Sequence, residues 1–293
     1  MRISIVINAH NEEKNIGACL CSLKAQTKKP LEIIVINQRS SDKTASISKK
    51  HGAIVYEYGG PTRGDARDYG WRKARGDYVI YLDADDVVNK TWLEGFIFKF
   101  SEGYEAVLDE LRVHNPNTIF LKLFDWQYYS RKELSYSAWG YKKSLLKKLG
   151  GFKEGWIEEG ELALRMKESG VKIGYARESV RYHMGNPRSF CEYLIRQFKS
   201  GRLESKWLYS DNPKKPLAKL LFLAGYISLA AIFAIMNYVL ILPLYASYLL
   251  ITALFVMRNR KVSAGDIIKL FGNTILYSFA MVFWSAGYLR EKI

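Results

Sequence analysis

Runs of apolar residues alternate with polar stretches through the first hundred positions, and their spacing predicts strands alternating with helices. Ile3 to Asn8 reads as a buried strand, and Glu12 to Ala25 as a helix with Ile16, Leu20 and Leu23 on one face. Leu31 to Ile36 is a second apolar strand, ended by the polar run Asn37 to Asp42. A helix from Lys43 to Lys50, a strand from Ala53 to Tyr58 and a turn at Gly59-Gly60-Pro61 come next. A helix from Asp65 to Arg75, broken by Gly76, and a fourth strand from Tyr78 to Leu82 follow. This order predicts an α/β fold with a mostly parallel, Rossmann-like sheet and helices on both faces. In such sheets ligands bind beyond the carboxyl ends of the strands. The polar groups after Ile7, Ile36 and Leu82 all fall there.

From Leu93 to Tyr182 the pattern reads as α+β. Ser135 to Leu149 is a strand or loop running into a basic helix stopped by Gly150-Gly151. Glu158 to Ser169 is a helix closed by Gly170, and Val171 to Ala176 is a short strand. Ser189 to Lys206 is amphipathic and basic, and Asp211 to Pro216 is a linker by composition.

Beyond the linker the chain changes character. No residue from Leu220 to Met257 is charged. At about 1.5 Å per residue, one helix of that length would be nearly twice as long as the ~30 Å core of a bilayer is thick. Two spans fit, at about 218–237 and 238–257 with the turn near Asn237-Tyr238. Lys214, Lys215 and Lys219 precede the pair, and Arg258, Arg260 and Lys261 follow it. That placement keeps both ends of the hairpin in the cytoplasm. A third apolar segment at 267–289 contains Lys269 and Asn273; it spans the bilayer or lies partly in the interface. The expected organisation is a domain over 1–210 and an all-α membrane-anchoring region over 211–293. Met1 runs straight into the first strand, which predicts a cytoplasmic start for the N-terminal domain.

The 293 residues carry a formal net charge of +15, which favours anionic partners. No nucleic-acid motif is present and the cations are spread along the chain. Membrane surface and a diphosphate substrate are therefore the expected partners. Cys19, Cys21 and Cys191 make neither a metal nor a disulfide framework, and they read as thiols of a reducing compartment. Oligomeric state leaves no mark in the sequence.

The candidate chemistry centres on Tyr81-Leu82-Asp83-Ala84-Asp85-Asp86, at the end of the fourth strand. Two carboxylates one residue apart at a strand end can both turn toward a cation. Hard divalent cations take oxygen ligands and share them with phosphates. A metal so placed neutralises a diphosphate leaving group.

Several stretches resemble family 2 glycosyltransferases with the nucleotide-sugar-binding A-type fold. They are Ile5 to Glu13, Glu32 to Ile36 with Ser40 to Thr44, Ala66 to Gly70, and Gly76 to Asp86. Leu149-Gly150-Gly151-Phe152 and Glu158 to Arg165 continue the match. The order and spacing of these pieces together make the likeness specific, over residues 1–200. The resemblance implies that Ala9, His10, Asn11 and Glu12 cradle the nucleobase and ribose, and that Arg67 approaches the diphosphate. Asp83, Ala84 and Asp85 would hold the metal and the nucleotide-sugar. His183 resembles a third metal ligand, and the metal is Mn2+ or Mg2+. Glu158-Glu159 matches an acidic pair near the acceptor, with Glu159 as the general base and Glu161 as a supporting or acceptor-binding residue. Asn37 stands where the family usually carries an aspartate that bonds the base, and Gln38, Arg39 and Asp68 also depart from the pattern. Trp139 and Trp156 either pack on a sugar ring or belong to the core.

The expected activity is inverting transfer from a nucleotide-sugar donor to a hydroxyl of a lipid-linked saccharide or polysaccharide, by a multi-pass protein of the cell membrane with its catalytic domain in the cytoplasm. Two alternatives stand beside it. One is a polyprenyl-phosphate sugar synthase, which needs no base. The other is a catalytically degenerate membrane-anchored protein that binds nucleotide-sugars.

Overall fold

The computed structural model describes residues 1–118, 121–122, 125, 139–153, 158–187, 189, 192–193 and 195–196. The linker, the three apolar segments at 218–237, 238–257 and 267–289, most of the basic helix at 189–206, and Trp156 lie outside the described residues. Among the described residues no helix is long and apolar enough to cross a membrane. The chain divides into two compact units, Met1–Asn115 with Glu133–Asn186, and Pro116–Lys132 with Pro187–Ile293. The elements below belong to the first.

Eight strands form one sheet: β1 (Ile3–Ala9), β2 (Glu32–Gln38), β3 (Ile54–Tyr58), β4 (Tyr78–Asp83), β5 (Asp86–Val88), β6 (Ala106–Val113), β7 (Gly140–Lys142) and β8 (Ile173–His183). Their spatial order is β3-β2-β1-β4-β7-β6-β8-β5. The helices described in this unit are α1 (Ile16–Lys24), α2 (Thr44–Lys50), α3 (Arg63–Lys73), α4 (Trp92–Ser101), α5 (Lys143–Leu149) and α6 (Glu158–Glu168).

The first four strands are parallel neighbours, as their unbroken apolar runs predict. Ile5, Val6, Ile7, Ile34, Val35, Ile36, Val79 and Ile80 are all fully buried. Each large aliphatic side chain so buried contributes about 1.5–3 kcal/mol. Helix α1 covers this surface with Ile16, Cys19, Leu20 and Leu23. Helix α3 packs differently. Its buried face is Gly64, Ala66, Arg67, Gly70 and Trp71, so small residues bring the backbone close to the sheet and carry an arginine in with them. A Cβ on Gly70 would lie 2.5 Å from Val6 Cγ1. The helix begins two residues before its expected start, because Thr62 and Asp65 form a reciprocal capping box.

The sheet as a whole is mixed, which corrects the expectation of a mostly parallel one. β4·β7, β6·β7 and β5·β8 are antiparallel, and β6·β8 is parallel. β5 and β7 have three residues each, too few to display a period. β6 carries Asp109, Glu110 and Arg112 between its apolar residues, which interrupts the period. The short strand expected at 171–176 is the first part of an eleven-residue strand that runs on to His183. A register shift at Asp109/Glu110 accompanies that extension.

Candidate active site

Parallel pairing aligns the carboxyl ends of β1, β2 and β4. Ala9 pairs with Asn37, and Asn8 pairs with Asp83. A cavity of about 450 Å³ opens there, lined by Asn8, Ala9, His10, Glu12, Gln38, Arg39, Gly60, Pro61, Arg63, Asp83, Ala84, Asp85 and His183. Six of the expected site residues thus share one cavity with His183.

The loops that follow β1 and β2 are held by side chains. His10 Nδ1 is 2.6 Å from the Gln38 carbonyl, so it is the nitrogen that donates. Asn11 has φ 56° and clasps the neighbouring loop: its Oδ1 accepts from Ser41 N at 2.8 Å and its own N–H donates to Ser40 Oγ at 3.0 Å. It does not line the cavity. Asn37 is buried and donates through Nδ2 to Glu57 Oε2 at 2.6 Å, while its Oδ1 is buried with no hydrogen-bond partner. Gln38 Nε2 donates to the carbonyls of Gly60 and Thr62, at 3.0 and 2.8 Å.

Asp83 ends β4, Ala84 and Asp85 turn the chain, and Asp86 starts β5 directly opposite His183 on β8. His183 Nδ1 lies 2.7 Å from Asp86 Oδ1 and 3.5 Å from Asp85 Oδ1. Ligand atoms of Asp85, Asp86 and His183 all fall within 4.8 Å of one another. Burial pushes the Asp85 carboxyl up to about 6, helped by the charges of Asp86, Asp83 and Glu12 and opposed by His183. Burial alone would lower the His183 imidazole, but its hydrogen bond to Asp86 and the charges of Asp85, Asp86 and Asp83 raise it. Negative charge is thus in excess at this turn.

The space beside it is kept clear by a glycine. A Cβ on Gly185 would meet Asp85 Oδ2 at 2.1 Å and His183 Nε2 at 3.2 Å. Carboxylate oxygens with one imidazole suit a hard or borderline divalent ion such as Mg2+ or Mn2+. The residues present therefore fit such a cation. Asp85 and His183 lie together with Asp86, whereas Asp83 turns to a different partner.

That partner is Arg67. Its side chain is buried, its Nη2 lies 3.4 Å from Asp83 Oδ1, and its Nη1 donates to Glu159 Oε1. Tyr81 Oη donates to the Arg67 carbonyl at 2.9 Å. The guanidinium lies 4.8 Å from the Trp139 ring centroid. Trp139 is buried and belongs to the core, the second of its two expected roles.

Glu161 is tied to Arg165 at 2.8 Å and to Lys153 at 3.0 Å. It shares no partner with Glu159 in these bonds. The side chain of Glu158 falls outside the described residues. Asp68 anchors the glycine turn: its Oδ1 accepts from Trp71 Nε1 at 2.7 Å and from Phe152 N at 3.1 Å.

Asp86 and Arg181 have no role in the sequence reading, although both are almost wholly buried at the site. The available signal was Arg181-Tyr182-His183, a spacing that puts Arg181 and His183 on one face of a strand.

A family model described as glycosyl transferase family 2 matches residues 4–152. Glycosyltransferase GlyA of Streptococcus pneumoniae serotype 4 is 27% identical over 209 residues, which cover 61% of this chain and 30% of GlyA. Probable glycosyltransferase YdaM of Bacillus subtilis strain 168 is 25% identical over 283 residues, covering 80% of this chain and 66% of YdaM. The chain thus spans less than two thirds of the length of either relative. Among solved structures, Staphylococcus aureus TarS 1-349 in complex with UDP-GlcNAc superposes with a TM-score of 0.53 at 16% identity, over 100% of this chain and 92% of that one. Glucosyl-3-phosphoglycerate synthase of Mycobacterium tuberculosis, in complex with Mn2+, UDP-glucose and phosphoglyceric acid, gives 0.52 at 19% identity, over 71% and 79%. At these identities the structural likeness bears on the fold.

Proposed function

Because the chain belongs to glycosyl transferase family 2, we propose that it moves a sugar from a nucleoside-diphosphate sugar to a hydroxyl of a saccharide acceptor, with inversion at the anomeric carbon. The observation that carries this reading is the meeting of Asp83, Asp85 and His183 on one cavity at the carboxyl ends of the parallel strands. The complexes of TarS with UDP-GlcNAc and of the mycobacterial synthase with UDP-glucose support a donor of this class.

The donor's nucleoside end lies against Ala9, His10 and Glu12, and its diphosphate lies toward Asp83 and Asp85. When bound by Asp85 and His183, with Asp83 beside them, Mn2+ or Mg2+ supplies positive charge against the departing diphosphate. Glu159 is the base. Its Oε1 is bonded to Arg67, which fixes the carboxylate, and Oε2 takes the proton from the acceptor hydroxyl. The acceptor oxygen forms its bond to the anomeric carbon as the bond from that carbon to the diphosphate breaks, and the electron pair leaves with the diphosphate.

The acceptor is lipid-linked. The apolar segments at 218–237, 238–257 and 267–289 anchor the chain in the cell membrane and hold the catalytic unit, over 1–210, at its cytoplasmic surface. Lys and Arg beside those segments add about 1 kcal/mol each on an anionic leaflet. A lipid-linked polysaccharide precursor has this geometry. TarS, a poly(ribitol-phosphate) beta-N-acetylglucosaminyltransferase, acts on a poly(ribitol-phosphate).

The test is a donor screen on membranes carrying the full chain, with Mn2+ or Mg2+ and a lipid extract, following release of each nucleoside diphosphate. One donor should saturate, and Asp85→Ala should abolish release while the protein stays folded. Release by Asp85→Ala at the wild-type rate, or no release from any donor, would sink the reading.

A further inference from the structure

Arg181 is a deeply enclosed cation beside the site, with a side chain 3% exposed. It does not line the cavity at the strand ends. Its Nη1 donates to Asp86 Oδ2 at 2.9 Å, its Nε donates to Asp109 Oδ2 at 2.9 Å, and its guanidinium lies 3.9 Å from the Trp139 ring centroid. A second donor, Trp92 Nε1, holds the same Asp109 oxygen at 2.8 Å. The arginine is therefore fixed from three sides. Asp86, wholly buried, has both oxygens engaged: Oδ2 with Arg181 and Oδ1 with His183 Nδ1.

The backbone explains the meeting. Arg181 and His183 are two residues apart on β8, so they share a face of the strand. Asp86 is the cross-strand partner of His183 in the antiparallel β5·β8 pair. Nδ1 of His183 is thus committed to a carboxylate that cannot turn away. Nε2 faces the cleared space at Gly185, which Asp85 Oδ2 also borders. A carboxylate on the far nitrogen of a metal-binding imidazole fixes its tautomer and ring orientation.

The geometry points to Arg181 as a positioning residue for the metal-ligating histidine. Acting through Asp86, it presents Nε2 of His183 to the cation and withholds Asp86 from the ligand set. The inference rests on the metal reading given under Proposed function.

Two measurements on the full chain test it, neither of which uses transfer. Long-range proton–nitrogen NMR of the metal-free wild type at alkaline pH should show His183 protonated on Nδ1 and bare on Nε2. Mn2+ titration followed by the EPR signal of free Mn2+ should give Arg181→Lys a dissociation constant about 10–100-fold above wild type. In a His183→Ala background the same change should add no more than about twofold. An Nε2-protonated His183 in the wild type would overturn the proposal, and this readout stands even if Arg181→Lys does not fold. So would an equal loss from Arg181→Lys with and without the imidazole. Mn2+ binding by the wild type with unchanged affinity in Arg181→Lys overturns the positioning role alone. No Mn2+ binding by the wild type overturns the metal reading and this inference with it.

Discussion

Glu159 and Asp83, far apart in sequence, share one guanidinium: Arg67 Nη1 donates to Glu159 Oε1, and Nη2 lies 3.4 Å from Asp83 Oδ1. The proposed base and the strand-end carboxylate are thereby placed relative to each other by a single buried side chain. Lysine keeps the charge but cannot present two nitrogens in a rigid fork. Arg67→Lys is expected to lower kcat by about 100-fold, the cost of a misplaced reacting group. Nucleoside diphosphate release measured beside a thermal melt separates this loss from unfolding.

Glu159→Gln keeps an oxygen for Arg67 and removes the proton acceptor. Transfer should fall by about 10²–10⁴-fold, the usual worth of a general base. Donor affinity, followed by calorimetry, should stay within a few-fold. Retention of more than a tenth of wild-type kcat would remove Glu159 from the role of base.

Metal binding should depend steeply on pH. Asp85 must lose a proton to bind a cation, and its carboxyl stands at about 6. His183, whose imidazole is also raised, must lose one as well. Without metal, the raised Asp85 makes folding less favourable as pH climbs from its ordinary range through about 6. The stability contributed by charged His183 is present in mild acid and is lost as pH rises through its raised value. Both effects favour the metal-free protein at low pH and the metal-bound one at high pH. Mn2+ should therefore raise Tm well above pH 6 and have almost no effect well below it. Equal Mn2+ shifts in melts on both sides of pH 6 would contradict the assignment.

Asp68 occupies a position where asparagine is common in the family, and its work here is structural. Its Oδ1 holds Trp71 Nε1 and Phe152 N, and Gly151 beside it has φ 76°. A Cβ on Gly151 would sit 2.1 Å from that oxygen. Asp68→Asn retains the acceptor and should change stability by less than about 1 kcal/mol. Asp68→Ala and Gly151→Ala should each cost about 1–3 kcal/mol, the first through two orphaned donors and the second through strain. Denaturant midpoints of the three variants provide the comparison.

Asn37 explains its own departure from the family. It lies directly across the β2·β3 pair from Glu57 and donates to that carboxylate at 2.6 Å. Asn37→Asp would restore the usual residue and set two carboxylates against each other. We expect a loss of about 1–2 kcal/mol at neutral pH, the hydrogen bond plus the repulsion. Glu57→Gln in the same chain should recover it, as chemical denaturation would show.

The legible part of the fold is the part built from unbroken apolar runs. β1, β2 and β4 announce themselves because both faces are covered, and Asp83-Ala84-Asp85 stands out as the polar end of such a run. The rest is hidden for local reasons. Asp86 looks like one more solvated loop charge, yet it is wholly buried because Arg181 and His183 take both oxygens. The period of β6 is broken by Asp109, which pairs with an arginine on a strand far away in sequence. Arg177 and Glu178 interrupt the apolar pattern of β8, so its extension to His183 leaves no periodic trace. Paired charges inside a sheet are invisible to any pattern that scores each residue alone.

Trp139 borders both Arg67, at 4.8 Å, and Arg181, at 3.9 Å from its ring centroid. One arginine belongs to the network of the proposed base, the other to that of the proposed metal-binding turn. A single indole therefore borders both, and indole emission responds to the charges around the ring. With the six other tryptophans of the chain replaced, emission from Trp139 should therefore read events in both networks together.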